Sequence, residues 1–381
     1  MKYLLALLAL IFSLAPATAA PAELAKAQKK IPMKASAWEL NGNKAAFITH
    51  LGVPTLHIDD VGQDATGSNI ITIKDLAFAN GTIEYDAALA DNTRFTSIHF
   101  RRKNAANSEH LYLRANAVDD PNVNSAVQYA AVLNGVNIWD LSNEYQSNAT
   151  LRADGWNHIK LVVRDGQLLA YINDMTRPAL YVPMMDGDWT SGSVGFDGNV
   201  YLANITVTPD ATPGLAAGKG IDPVHNDARY LRNWQVTTPL DLPRGTEPTA
   251  LPEEGTAWSA ISAERLGMVN LSRKFGATPR GRRRMVWLKT TITAKEALQR
   301  QLDFGFSDEV YVYLNGKPLY VDKNLFGTPG MKTPRGRCSI ENSRISLPLS
   351  AGENELLIGL TNFFFGWGIV ARLDDGGGLL Y

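Results

Sequence analysis

Residues 97–139 read SIHFRRKNAANSEHLYLRANAVDDPNVNSAVQYAAVLNGVNIW, and the reading of this stretch decides the fold. Two runs of strand-forming residues, Ser97–Arg101 and His110–Arg114, flank a polar segment long enough for a hairpin. Successive side chains of a strand point to opposite faces. Ile98 and Phe100 therefore share one face, as do Leu111 and Leu113, and that face reads as core. Ser97, His99 and Arg101 take the other, with His110, Tyr112 and Arg114 across from them. Pairing would gather two His, two Arg and a Tyr on one surface. A solvated face of Thr, Ser, Lys and Glu needs no such concentration of donors and rings. The pattern predicts the floor of a binding groove.

The flanking sequence is of the same kind. From about Trp38 to Thr208, short β-type runs such as Asn69–Ile73, Thr82–Tyr85, Ile159–Val163, Leu168–Ile172 and Leu202–Val207 alternate with Gly, Asn and Asp. Asp165-Gly166 between two apolar runs is a hairpin signal. Residues 209–229 are rich in Pro, Gly and Ala and read as a linker. Beyond it, strands are predicted at Met285–Thr293, Gln301–Phe306, Val310–Leu314, Ile345–Leu349, Glu355–Leu360 and Gly368–Arg372, with one helical turn at Lys295–Arg300. The expected fold is all-β: two β-sandwich (jelly-roll) domains, residues 33–208 and 230–381, joined by the Pro/Gly/Ala-rich linker.

Residues 1–19 carry Lys2, an apolar run from Leu4 to Leu14 and the small residues Ala17-Thr18-Ala19, the pattern of a cleaved secretory signal peptide. The expectation is an exported protein, periplasmic or secreted, with no membrane span and acting as a monomer. After removal of residues 1–19 the chain holds 36 basic and 38 acidic side chains, a balance that argues against nucleic acid as partner. The single cysteine, Cys338, excludes an intramolecular disulfide and a multi-cysteine zinc site, and reads as a buried thiol.

The first domain resembles the concanavalin A-like or laminin G-like jelly rolls, and more narrowly the exported bacterial proteins related to the 3-keto-disaccharide hydrolase domain. The resemblance rests on Gly81-Thr82-Ile83-Glu84-Tyr85, Ile98-His99-Phe100-Arg101, Glu109-His110-Leu111-Tyr112-Leu113-Arg114, Gln128-Tyr129, Asn134-Gly135 before Trp139, Trp156-Asn157-His158-Ile159-Lys160, Tyr171-Ile172-Asn173-Asp174 and Gly192–Phe196. The second domain is similar to galactose-binding-like jelly rolls in Phe304-Gly305-Phe306-Ser307-Asp308, Val312-Tyr313-Leu314-Asn315-Gly316-Lys317 and Gly352-Glu353-Asn354-Glu355-Leu356. Both resemblances imply a carbohydrate setting.

A glycan groove needs planar hydrogen-bonding groups for hydroxyls and aromatic faces for the apolar side of sugar rings. Arg101, Tyr112, Arg114, Gln128, Tyr129 and Trp139 supply both and are the candidate ligand-binding residues. The arginines equally suit a carboxylate or sulfate on an acidic sugar. Against this stands a structural reading, an ion-pair network of Glu109 with Arg101 or Arg114. If the protein is instead a 3-keto-glycoside hydrolase or lyase, His99, His110 and Glu109 are the candidate catalytic groups, as base or as metal ligands. Retaining hydrolysis in the laminarinase-like manner is not expected, because Glu84-Tyr85-Asp86 begins that motif and Leu89 stands where its last Glu belongs. A third possibility is an envelope scaffold that binds protein.

Calcium is common among jelly rolls of this kind, which makes a divalent cation such as calcium the cofactor to look for. Asp59-Asp60 and Asp119-Asp120 offer oxygen ligands without the spacing of a dedicated loop. Arg280–Arg284 is expected to be a solvated basic loop, and Phe363-Phe364-Phe365-Gly366-Trp367 to be core rather than a sugar platform.

Overall fold

A computed structural model describes residues 27–59, 70–120, 122–248 and 250–381. The segment read as a signal peptide, and Asp60, lie outside the described residues.

Strands between Lys29 and Pro209 form two antiparallel sheets. One runs Leu180–Val182, Gln167–Ile172, Asn157–Arg164, Gly81–Leu89, Val200–Pro209, Val53–Ile58, Ala45–His50. The other runs Val136–Asn137, Val132–Leu133, Asn107–Arg114, Phe95–Asn104, Ser193–Gly198, Ile71–Ile73, Trp38–Glu39, with Val127–Tyr129 also paired to Asn107–Arg114. Their inward residues, among them Ile83, Ile98, Phe100, Leu111, Leu161 and Phe196, make one continuous core. Full burial of such a side chain contributes roughly 1.5–3 kcal/mol.

The linker does not hang free. Leu215 is buried against Val162 and Leu169, and Gln167 Nε2 donates to the carbonyls of Ala216 (2.9 Å) and Gly218 (3.1 Å). The second sandwich follows, with Ser259–Ser262, Asn233–Val236, Arg284–Ala294, Gly352–Asn362, Asp308–Leu314 and Lys317–Asn324 in one sheet. Met268–Asn270, Gly368–Leu373, Leu298–Phe306 and Ser343–Leu349 form the other. The helical turn expected at Lys295–Arg300 is instead a bend that leads into strand Leu298–Phe306; the short helix is Leu271–Phe275, where the Asn270 side chain accepts from the Arg273 amide.

The Arg280–Arg284 run is not a uniformly solvated loop. Arg283 is buried against Glu309 and the hydroxyl of Tyr311, and Arg284 lies over Trp367 at 5.2 Å. The two sandwiches are bolted together by Arg265, whose guanidinium pairs with Asp186 and Glu144 and stacks over Tyr145 at 4.3 Å. Cys338 is buried at this junction, and its amide donates to the Asp140 carbonyl at 2.8 Å.

Candidate functional site

The predicted hairpin exists with longer arms, Phe95–Asn104 and Asn107–Arg114, closed by Ala105–Ala106. Asn104 Oδ1 accepts from the Ala106 amide at 2.9 Å, a side-chain turn that sets the register. In that register His99 lies opposite His110, and Ser97 opposite Tyr112. The next strands extend the row, with Asp197 beside Ser97 and Gln128 beside Tyr112. One transverse line, Asp197–Ser97–Tyr112–Gln128, thus crosses four strands on the face away from the core.

The rings on this face form a stack. His99 and His110 are 4.3 Å apart at 13°, and His110 and Tyr112 are 4.9 Å apart at 17°. The Arg114 guanidinium continues it 4.8 Å over Tyr112. Arg114 donates to the Ser125 carbonyl (2.6 Å), to Gln128 Oε1 (2.6 Å) and to the Tyr112 hydroxyl (3.0 Å). Tyr112 donates onward to Gln128 Oε1 at 2.8 Å, and burial pushes its phenol up to about 12. His99 is held at both nitrogens, Nδ1 by Ser108 Oγ and Nε2 by Asp197 Oδ2, each at 3.0 Å. His110 Nε2 has no partner, and burial, reinforced by neighbouring His99, pushes its pKa down to about 3, so the ring is neutral.

A cleft of about 890 Å³ opens over this face. Its floor is His99, His110, Tyr112, Arg114 and Asp197; its far wall is Phe326, Arg335, Arg337, Phe364 and Phe365 of the second sandwich. Trp139 stands at the join, edge-on to Phe326 (5.0 Å, 79°) and to Phe365 (5.7 Å, 78°), with the Arg337 guanidinium 5.0 Å over its ring. The expectation for Phe363–Trp367 therefore divides. Trp367 is core, whereas Phe364 and Phe365 face the cleft. Asp308, which accepts from the amides of Phe363 (2.6 Å) and Phe364 (3.2 Å), shapes that loop.

Gln128 is fully buried and does not line the cleft, and three further candidates lie elsewhere. Arg101 sits at a bulge with φ of 47°, which breaks the alternation and turns it off the face shared by His99. It donates instead to the carbonyls of Ala79 (2.8 Å) and Asp165 (2.6 Å) and to Asn80 Oδ1 (2.8 Å). Glu109 lies opposite Phe100, on the core side, where Tyr129 donates to its Oε2 at 2.6 Å. Burial pushes that carboxyl up to about 7, with Arg101 among the charges that oppose the shift. Glu109 is bonded to Tyr129 and Arg101 to Ala79, Asn80 and Asp165, so the anticipated ion pair of Glu109 with Arg101 or Arg114 is not formed, and Glu109 is not grouped with the histidines. Asp197 occupies the place that the sequence reading assigned to Glu109. Glu84 and Asp86 belong to the opposite sheet, bound to His158 at 3.3 and 2.6 Å.

His99, His110 and Asp197 each bring a possible ligand atom within 4.8 Å of the others, the only such group of three among the described residues. The near-parallel rings direct their in-plane lone pairs along separate planes, so one ion cannot take both imidazoles without a ring turning. As it stands the cluster is a hydrogen-bonding site. Asp119 lies in a turn, and Asp120 Oδ1 accepts from the Asn122 amide at 2.9 Å, an ordinary side-chain turn.

The residues missed in the sequence are Asp197, Asn137, Phe326, Arg335 and Arg337. The last three lie in a stretch between strands Lys317–Asn324 and Ser343–Leu349. A connection that long without regular structure is itself a functional signal.

No protein-family model and no curated protein matches the chain. Among solved structures it is similar to the carbohydrate-binding module CBM66 of Bacillus subtilis, with 15% identity over 45% of this chain and 95% of that one and a TM-score of 0.33. A Bacillus subtilis protein with a galectin-like fold shares 14% identity over 49% of this chain and 97% of that one, with a TM-score of 0.34. Chicken galectin 2 shares 11% over 35% and 94%, with a TM-score of 0.26.

Proposed function

We propose that this chain recognises a carbohydrate in the cleft between its two sandwiches, and that it does so after export. The observation that carries the first part is the opposition of two kinds of wall in one open cavity. Trp139, Phe364 and Phe365 give apolar ring surface, and His99, His110, Arg114, Asn137 and Asp197 give hydrogen-bonding groups facing it. Sugars present that same pairing, an apolar ring face and a rim of hydroxyls. Export is supported by the Lys2, Leu4–Leu14 and Ala17-Thr18-Ala19 pattern. The test is a glycan array of the mature protein beside Trp139→Ala and Phe365→Ala. Binding by wild type that both variants lose supports the reading; an array with no signal at all removes it.

A further inference from the structure

Four arginines line the cleft, Arg94, Arg114, Arg335 and Arg337, against a single carboxylate, Asp197, which His99 already holds. The whole chain carries a formal charge of −1, so this excess of positive charge is local. Among the described residues no acid forms an ion pair with Arg114, Arg335 or Arg337. Arg114 is bonded only to neutral acceptors, Ser125, Gln128 and Tyr112.

Arg337 is the extreme case. It is 4% exposed, its Nε has no hydrogen-bond partner, and its guanidinium lies over the Trp139 ring; Asp140 acts on its charge through space without forming an ion pair. Burial and the nearby Arg114 push its pKa down to about 10, which leaves it charged at neutral pH and repelled by its neighbour. A buried charge without a partner is costly. The chain around it is pinned, since Asn324 Nδ2 (3.2 Å) and Asn342 Nδ2 (3.1 Å) both donate to the Arg337 carbonyl, and the next residue's amide is bonded to Asp140. The backbone there is thus held in place while its guanidinium has no ion-pair partner.

We propose that Arg114, Arg335 and Arg337 form an anion subsite on the second-sandwich side of the cleft, which takes the carboxylate or sulfate group of an acidic glycan. This rests on the carbohydrate reading and adds the class of sugar. Planar guanidinium forks match both anions in a bidentate manner, whereas a neutral sugar would leave the three charges unanswered.

The experiment is calorimetric titration at an ionic strength of about 0.15 M, where exposed charges are screened beyond about 8 Å. The probes are an oligogalacturonate, a sulfated chondroitin oligosaccharide and a neutral gluco-oligosaccharide. Wild type is compared with Arg337→Gln, with Arg335→Gln (an exposed position where folding is not at stake) and with Arg280→Gln away from the cleft. One acidic probe should bind more tightly than the neutral one and lose about 10- to 100-fold in affinity in Arg337→Gln, the loss of one or two charge-assisted hydrogen bonds. Arg335→Gln should weaken it in the same direction, and Arg280→Gln should leave it unchanged. Which acidic probe responds separates carboxylate from sulfate. Neutral sugar bound as tightly as acidic, or acidic binding indifferent to Arg335 and Arg337 or equally weakened by Arg280→Gln, overturns the anion subsite while carbohydrate recognition stands. No binding of any sugar overturns both.

Discussion

His99 and His110 face each other across neighbouring strands with their rings stacked 4.3 Å apart, yet only His99 has a carboxylate, Asp197, on its ring. The asymmetry separates their chemistry. His99 is oriented at both nitrogens, and His110 is left with a buried Nε2 that has no partner.

His110 should not titrate in the neutral range. Burial and the adjacent His99 hold its folded pKa near about 3, against 6.5 in the unfolded chain. The unfolded state therefore binds more protons between these values, and the stability present above pH 6.5 is lost as pH falls toward 3. The slope from this residue is at most about 1.4 kcal/mol per pH unit. Imidazole NMR signals assigned to His110 should stay fixed from pH 8 to about 4.5, and His110→Phe should flatten the acid limb of a denaturant-derived stability profile. A His110 signal that moves near pH 6 contradicts the assignment.

Asp140 should act in the opposite sense. Its carboxyl is buried at the junction, accepting from the Gly366 amide at 2.9 Å, and burial pushes it up to about 7. The folded state then holds the extra proton. Stability is fully present below the unfolded value of 3.8 and is lost as pH rises toward 7. Asp140→Asn keeps an oxygen for Gly366 and carries no charge, so it should match wild type near pH 4 and exceed it at pH 8. Urea titrations at those two pH values read the difference directly.

How much of this was legible follows from the physics of each part. The two-residue period placed His99, His110, Tyr112 and Arg114 on one face, because alternation survives wherever a strand is regular. It failed at Arg101, where a bulge with positive φ reverses the side chain and no glycine announces it. Asp197 was invisible for another reason: it pairs with His99 from 98 residues away, and such pairing depends on sheet order. The far wall was harder still. Arg337 and Phe365 sit on irregular loops whose shape comes from Asn324, Asn342 and Asp308, so periodicity carries no information about where they point.

Arg101 should behave as a structural clamp. Its three donors satisfy Ala79, Asp165 and Asn80, and the group is 3% exposed. Arg101→Ala leaves the Ala79 and Asp165 carbonyls without this donor, while Asn80 Oδ1 keeps the Asp165 amide, and should destabilise the fold by about 2–4 kcal/mol. Ligand affinity measured on the remaining folded protein should be unchanged within about twofold, since the residue does not line the cleft. A large drop in affinity at constant stability would return Arg101 to the site.

Gly366 tests whether the second sandwich truly builds one wall. A Cβ on Gly366 would meet Asp140 Oδ1 at 2.4 Å and Leu141 Cγ at 2.6 Å, both across the domain junction. Neither neighbour is a free side-chain end, because Asp140 is bonded to this same glycine and Leu141 is core. Gly366→Ala must push the loop carrying Phe364 and Phe365 away from Trp139, and overpacking of this kind costs about 1–3 kcal/mol. The fold should survive, while Trp139 fluorescence shifts and glycan affinity falls. If affinity and fluorescence both stay at wild-type values while the protein is destabilised, the aromatic wall is packing alone and the ligand is held by the floor.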